Sequence, residues 1–362
     1  MWRLLRPDAL TVFRDSKVRK VLGRYANIVE EKRYAKFLIA KTLPANYKQS
    51  DDTEKLWALH DDLTEQYYQL EKEVDSGRRK LGETKPEQSY LSLKVELANR
   101  ILQSCNFCVR SCRVNRATGE LGWCRVGRDF NLSTIFTHMG EEPELVPSGT
   151  VFTIGCNLRC LHCQNWSISQ QYEKGEVFTP RMMTSAVEQL KSADCRNLNM
   201  VGGEPTPNLH RWLETLSLVK SNIATVWNSN SYYSEETAKL LAGLIDVYLL
   251  DFKYGNNRCA ERISAAPKYW ETCTTNHLHA RKYGELIIRV LVLPEHNKCC
   301  TRPTLRWIAE NLGTDVRINL MDQFKPEWRA HEVSEFSRRL TREEFSEAVH
   351  IAREVGLTNF IT

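Results

Sequence analysis

Apolar and polar positions follow two different rhythms along this chain, and the change of rhythm divides it. Between residues 54 and 81 the apolar positions Leu56, Leu59, Leu63, Tyr67, Leu70 and Val74 recur three or four apart, the stripe of an amphipathic helix. The stripe is short for a coiled-coil seam, so it predicts packing on the rest of the chain or on a preceding helix around residues 18–43. Residues 1–95 read as a charged, helical N-terminal extension, and residues 80–89, with Gly82 and Pro86, as a linker. From residue 151 the rhythm changes. Short apolar runs predict strands over 151–154, 198–201, 224–227, 247–250, 286–292 and 316–320. Helices are predicted between them over 184–193, 208–221, 234–242, 258–263 and 302–311, with a last one over 342–355 ending at Gly356. Strands alternating with helices mean parallel βα units, whose sites lie beyond the carboxyl ends of the strands.

Composition narrows the class. The 362 residues are 42% hydrophobic and 26% charged, an ordinary globular balance, and no apolar run is long enough to span a bilayer. The net charge of +5 is small and scattered, with no basic stripe interleaved with aromatics, which argues against nucleic-acid binding. The first twenty residues are basic but lack a continuous apolar core, and Ser16 is their only serine, so neither a secretory nor a mitochondrial leader is expected. Twelve cysteines, several in two tight groups, then point to metal binding in a reducing cytoplasm rather than to disulfides.

The first predicted strand runs into Gly155 and then Cys156, Cys160 and Cys163, spaced C-x3-C-x2-C with His162 between the last two. Three thiolates this close can hold three irons of a 4Fe-4S cluster and leave the fourth iron open to a small molecule, whereas electron-transfer clusters are normally held by four cysteines. A zinc knuckle using the same thiolates and His162 is the bland alternative, but structural zinc favours two separated ligand pairs. After the second strand come Gly202, Gly203 and Glu204, where the missing Cβ atoms permit close backbone approach. After the third and fourth strands stand Asn228, Ser229 and Asn230, then Asp251 and Lys253. Arg289 sits inside an apolar strand, where a charge needs a partner: a ligand carboxylate, or a core residue such as Asp251. Cys105, Cys108, Cys112 and Cys124 form the second group, able to close a tetrahedral zinc site or complete a second Fe–S cluster. The remaining cysteines read mostly as small buried hydrophobes, although Cys299 and Cys300 follow the fifth strand and could reach the site.

The cysteine spacing resembles that of the radical S-adenosylmethionine (SAM) enzymes. The strings CQNWSISQ, VGGEPTP, VWNSNSYYSEET, DVYLLDFKYGN, CCTRP and MDQF together resemble the pyruvate formate-lyase activating enzyme-related branch, over about residues 100–357. The resemblance implies a partial (β/α)6 barrel over residues 149–362, preceded by the helical extension and by a small four-cysteine metal segment over residues 96–148. It implies that SAM chelates the open iron and that reductive cleavage yields a 5′-deoxyadenosyl radical for hydrogen abstraction from a protein or peptide. A small metabolite or lipid is the alternative substrate, and a non-catalytic Fe–S or zinc protein the alternative class. By the same resemblance Gly202, Gly203 and Glu204 meet the methionine end of SAM, Asn228 and Ser229 lie on a cofactor wall, and Asp251 ligates a monovalent cation. Lys253 faces SAM or substrate, and Arg289 is a catalytic candidate. A flavodoxin- or ferredoxin-like electron donor is implied. Two departures from the glycyl-radical activating enzymes themselves stand out: Asn228 stands where they carry an aspartate, and the sixth strand runs into Met321-Asp322-Gln323-Phe324 where they carry a histidine.

Overall fold

The computed structural model describes residues 2–82 and 86–362; part of the predicted linker, residues 83–85, lies outside the described residues. Nine strands form one sheet: β1 (Phe130–His138), β2 (Ser148–Thr153), β3 (Glu176–Phe178), β4 (Asn197–Gly202), β5 (Ala224–Ser229), β6 (Val247–Asp251), β7 (Glu285–Leu291), β8 (Arg317–Met321) and β9 (Phe360–Ile361). Their order is β3-β1-β2-β4-β5-β6-β7-β8-β9, unclosed, and all neighbours from β2 to β9 are parallel. The six predicted strands are β2 and β4 to β8, the expected α/β architecture with a partial barrel. Their apolar runs are buried because helices cover the outer face, as parallel sheets require.

Some elements escaped the periodicity. β1 and β3 add an antiparallel edge, and the helix Tyr269–Tyr283 was not foreseen. Its inner face is polar: Asn276 is buried and donates to the carbonyls of Ser231 (3.0 Å) and Tyr233 (2.9 Å), so no apolar stripe marks it. The predicted helix around residues 18–43 is three short ones, Ser16–Val21, Gly23–Val29 and Lys36–Ala40. Carboxylates from the barrel satisfy the amides their starts expose. Glu285 receives the backbone N–H of Arg24 and of Tyr25 at 2.8 and 2.6 Å, and Asp246 that of Lys36 at 3.0 Å.

The long amphipathic helix is Thr53–Asp75, capped by Asp52, and it buries Leu56, Leu63, Tyr67 and Leu70 in the same core as the barrel. Packing within the chain therefore explains its stripe. Tyr90–Gln103, started by a Ser89/Ser92 capping box, runs through residue 95, where the extension was expected to end. Residues 130–138, assigned by sequence to the four-cysteine segment, are β1 of the main sheet. Extension, cysteine segment and barrel thus share elements and one apolar core.

Candidate functional site

Three consecutive barrel strands deliver polar groups to one mouth. β4 ends at Gly202, β5 at Ser229 and β6 at Asp251, and with the loop after β2 they line a cavity of about 230 Å³ that opens to solvent. The lining includes Cys156, Cys160, His162, Cys163, Gly202, Gly203, Glu204, Asn228, Ser229, Asp251, Lys253 and Arg289. Every sequence candidate outside the four-cysteine segment is thus brought to the same place, except Cys299 and Cys300, which follow β7 but do not reach the cavity.

The cysteine loop is fixed from several sides. Asn157 is fully buried, donating to the Tyr232 carbonyl (2.7 Å) and accepting from Asn230 Nδ2 (2.8 Å). Arg159 and Leu161 donate backbone N–H bonds to the carbonyls of Ser264 and Ile263, at the end of the helix Asn257–Ser264 (both 2.9 Å). The sulfurs have only weak protein partners: the Leu158 N–H on Cys156 at 3.4 Å, the Ser264 hydroxyl on Cys160 at 2.9 Å and the Ser169 hydroxyl beside Cys163 at 3.1 Å. Burial raises the Cys156 thiol and pushes Cys160 up to about 11. Among the described residues these three sulfurs belong to no group of ligand atoms lying within 4.8 Å of one another. Three thiols on one loop, without a fourth cysteine beside them, are the donor set of a cluster in which each thiolate binds a different iron. His162 is buried 3.4 Å from the Tyr254 hydroxyl, and burial lowers it to about 3, so it is a neutral packing partner. The donor set therefore fits a three-thiolate 4Fe-4S cluster beside a cavity with room for a ligand.

Glu204 is buried but well supplied with donors. It accepts from Thr206 Oγ1 (2.5 Å), Ser229 Oγ (2.7 Å) and the Asn230 N–H (2.9 Å), while burial raises its carboxyl. The two glycines serve a purpose the sequence did not show. A Cβ on Gly202, whose φ is +130°, would collide with Thr153 backbone, and one on Gly203 with the carbonyl oxygen of Gly155. The close approach is first to β2 and the root of the cysteine loop, whatever ligand lies beyond.

The charges also find partners that spacing could not reveal. Lys253 Nζ stands 2.6 Å from Asp251 Oδ2, so Asp251 already holds a cation. Burial opposes the Lys253 charge, but Asp251 and the Cys160 thiolate outweigh it and hold the ammonium above its usual range. Arg289 lines the cavity but is not bound to Asp251. Its guanidinium pairs with Glu142 (Nε–Oε1 2.6 Å, Nη2–Oε2 2.7 Å) and with Glu141, and Nη1 lies 3.4 Å from Asn228 Oδ1. Glu142 also accepts from Asn319 (2.9 Å), and Glu144 pairs with Arg317 at 2.6 Å. The turn between β1 and β2 thus inserts Glu141, Glu142 and Glu144 into the barrel below the cavity. A run of glutamates around Pro143 was the available sequence signal.

The four-cysteine segment does not line the cavity; it lies beside the loop that does. A Cβ on Gly155 would meet Val126 and, at 2.8 Å, the Cys124 carbonyl. Buried Arg116 donates to the carbonyls of Gly127 (2.7 Å) and Pro207 (2.6 Å), and Arg110 to that of Asn157 (2.6 Å). Cys105 and Cys124 are buried, Cys108 half-buried and Cys112 exposed. Burial pushes the Cys108 thiol up to about 12, with Cys124, Cys105 and Cys112 close enough to add to the rise.

Residues 150–308 match the family model of the Radical SAM superfamily. That segment of the chain is a radical SAM domain. An uncharacterized protein of Methanocaldococcus jannaschii is 41% identical over 345 residues, covering 93% of this chain and 98% of the relative. A second uncharacterized protein of that organism is 25% identical over 281 residues, 70% of this chain and 81% of its own. Among solved structures, Streptococcus suis SuiB, also seen bound to S-adenosylmethionine, overlaps 59% of this chain and 47% of its own at 14% identity. Its TM-score is 0.41, and that of a TYW1 structure with a lysine-pyruvate adduct is 0.35, at 14% identity over 57% of this chain and 73% of that one; overlaps so slight carry no argument. The radical SAM domain begins in β2 and reaches the helix Arg302–Asn311, so it contains the cysteine loop and most of the cavity wall.

Proposed function

We propose that Cys156, Cys160 and Cys163 hold a 4Fe-4S cluster at which this radical SAM enzyme cleaves S-adenosylmethionine reductively, to take a hydrogen atom from a protein or peptide. The observation that carries the site is the convergence of the Cys156, Cys160 and Cys163 thiols with Gly202-Gly203-Glu204 on one open cavity. Loaded, such a site supplies one-electron cleavage of a sulfonium, giving methionine and, after hydrogen abstraction, 5′-deoxyadenosine. The chain's own part is to bind, orient and exclude water. Glu204 Oε2 accepts one protein hydrogen bond, which leaves that oxygen able to take an ammonium donor from the methionine end. Asn228 and Ser229 border the same space. Lys253 offers a charge toward SAM or substrate, and a monovalent cation at Asp251 would have to share that carboxylate with it. Arg289 acts as a positioning residue that ties β7 to the glutamate turn. The protein-substrate reading rests on the activating-enzyme resemblance, with a small metabolite or lipid as its competitor, and a flavodoxin- or ferredoxin-like protein would deliver the electron.

Anaerobic reconstitution with dithionite and SAM, read as 5′-deoxyadenosine, tests the chemistry. The wild type should produce it, and the Cys156→Ala/Cys160→Ala/Cys163→Ala variant should not; full cleavage by that variant would overturn the assignment. Deuterated host extract, split into protein and small-molecule fractions, tests the substrate class by which fraction transfers deuterium into 5′-deoxyadenosine.

A further inference from the structure

Four side chains outside the cavity converge behind the cysteine loop. Cys259 lies in the first turn of the helix Asn257–Ser264 after β6, and His296, Cys299 and Cys300 lie at the π-helical turn Asn297–Thr301 after β7. Among the described residues they form one group of ligand atoms all within 4.8 Å of one another. The Sγ atoms of Cys259 and Cys299 are 3.9 Å apart, and His296 Nδ1 is 3.4 Å from Cys299 Sγ and 3.5 Å from Cys300 Sγ. These are the edges of a tetrahedron around one zinc ion. Bonds of about 2.3 Å to sulfur and about 2.0–2.1 Å to nitrogen at tetrahedral angles place sulfurs about 3.8 Å apart and sulfur and nitrogen about 3.6 Å apart.

We infer that Cys259, His296, Cys299 and Cys300 form a structural Cys3His zinc site. The surroundings are built to hold it. Cys259, His296 and Cys300 are buried and Cys299 nearly so, which suits a closed site without an open coordination position. Asn256 clamps the two arms together: its Oδ1 accepts the Cys259 N–H (2.8 Å) and its Nδ2 donates to the Cys299 carbonyl (2.7 Å). A Cβ on Gly255 would stand 2.7 Å from the Cys300 carbonyl oxygen and 2.8 Å from that of Cys299, so only glycine lets the arms meet. The π turn places His296, Cys299 and Cys300 on one face. The other ring nitrogen of His296 faces an ion pair, 3.3 Å from Arg262 Nη2 and 3.7 Å from the Glu335 oxygen that Arg262 holds at 2.7 Å; a proton on that nitrogen, which metal binding through Nδ1 requires, would turn toward the carboxylate. The consequence reaches the cavity. The helix that carries Cys259 ends at Ile263 and Ser264, which receive the cysteine loop, so the ion would staple the β6 and β7 loops behind it.

The test uses the full chain, reduced and stripped with a chelator, then titrated with Zn2+ alone. Bound zinc is counted by elemental mass spectrometry, and each cysteine is scored for alkylation by peptide mapping, so uptake at Cys105, Cys108, Cys112 and Cys124 is read separately. Zinc should protect Cys259, Cys299 and Cys300 together. His296→Ala should lose that protection and one equivalent of zinc, while His296→Cys, which keeps four ligands, should retain both. Glu335→Gln should weaken the site about tenfold. Three cysteines alkylated equally fast with and without zinc would overturn the inference, a result available from the wild type even if variants fail to fold. So would equal zinc binding by His296→Ala and wild type, or a Cys259–Cys299 disulfide in native protein that takes up no zinc at these residues.

Discussion

At the amino ends of the barrel strands, buried charges are matched within the chain. Arg24 meets Asp246 and Asp75, each at 2.9 Å, and Glu71 at 3.3 Å, while Lys36 meets Glu71 at 2.6 Å. The helical extension supplies most of these groups and so closes that end. At the carboxyl ends the same sheet presents thiols with only hydroxyl or amide neighbours, and Asp251 and Lys253 facing an open cavity. One end is saturated internally; the other keeps acceptors and soft ligands free. A barrel can tolerate the second because the first holds it together, which separates the residues that stabilise from those that bind.

That contrast can be broken at either end. The largest effect is expected for Gly203→Val. Its Cβ would collide with the Gly155 carbonyl, displacing the root of the cysteine loop, so both the cluster's visible absorbance and SAM binding should be lost. Retention of the absorbance with loss of SAM binding alone would show that the glycine serves only the ligand. Next, Arg24→Ala leaves Asp246 buried without its cation and should cost about 3–5 kcal/mol in denaturant unfolding. SAM affinity of the surviving folded fraction should be unchanged; a large drop would mean that the two ends are coupled. If Cys105, Cys108, Cys112 and Cys124 hold a structural metal, Cys108→Ala should lower Tm by several degrees while the cavity cluster still assembles. Wild-type melting in a metal-free variant would remove that structural role.

The smallest effect is a slope. Burial, reinforced by Lys94, lowers His60 from 6.5 to about 3, and its Nε2 stands 2.7 Å from Lys94 Nζ. The unfolded chain takes up this proton below about 6.5 while the folded chain resists it to about 3, so stability should fall as pH drops through that window. Lys94, also depressed by burial, acts in the same direction. His60→Gln, which can still accept from Lys94, should flatten the dependence of Tm on pH between 7 and 4; an unchanged slope would place the titration elsewhere.

The local patterns that burial and backbone geometry impose were legible in the chain alone. Six parallel strands announced themselves as apolar runs between helices, the C-x3-C-x2-C spacing marked the cysteine loop, and Gly202, Gly203 and Glu204 fell where β4 ends. What only the tertiary structure decided were partnerships between segments distant in sequence. Arg289 needed a counter-charge, but the register of β7 and the inserted turn chose Glu141 and Glu142 over Asp251. Gly203 needed to lack a Cβ, but the obstacle is Gly155. The polar inner face of Tyr269–Tyr283 hid a whole helix, because its buried asparagine is satisfied by carbonyls of another loop. Cys259 read as a small hydrophobe, and Cys299 and Cys300 as a pair able to reach the cavity, until β6 and β7, side by side in the sheet, brought their following turns together around His296. Periodicity records which face of an element is buried; which charge, thiol or carbonyl waits on the other side depends on how the elements pack.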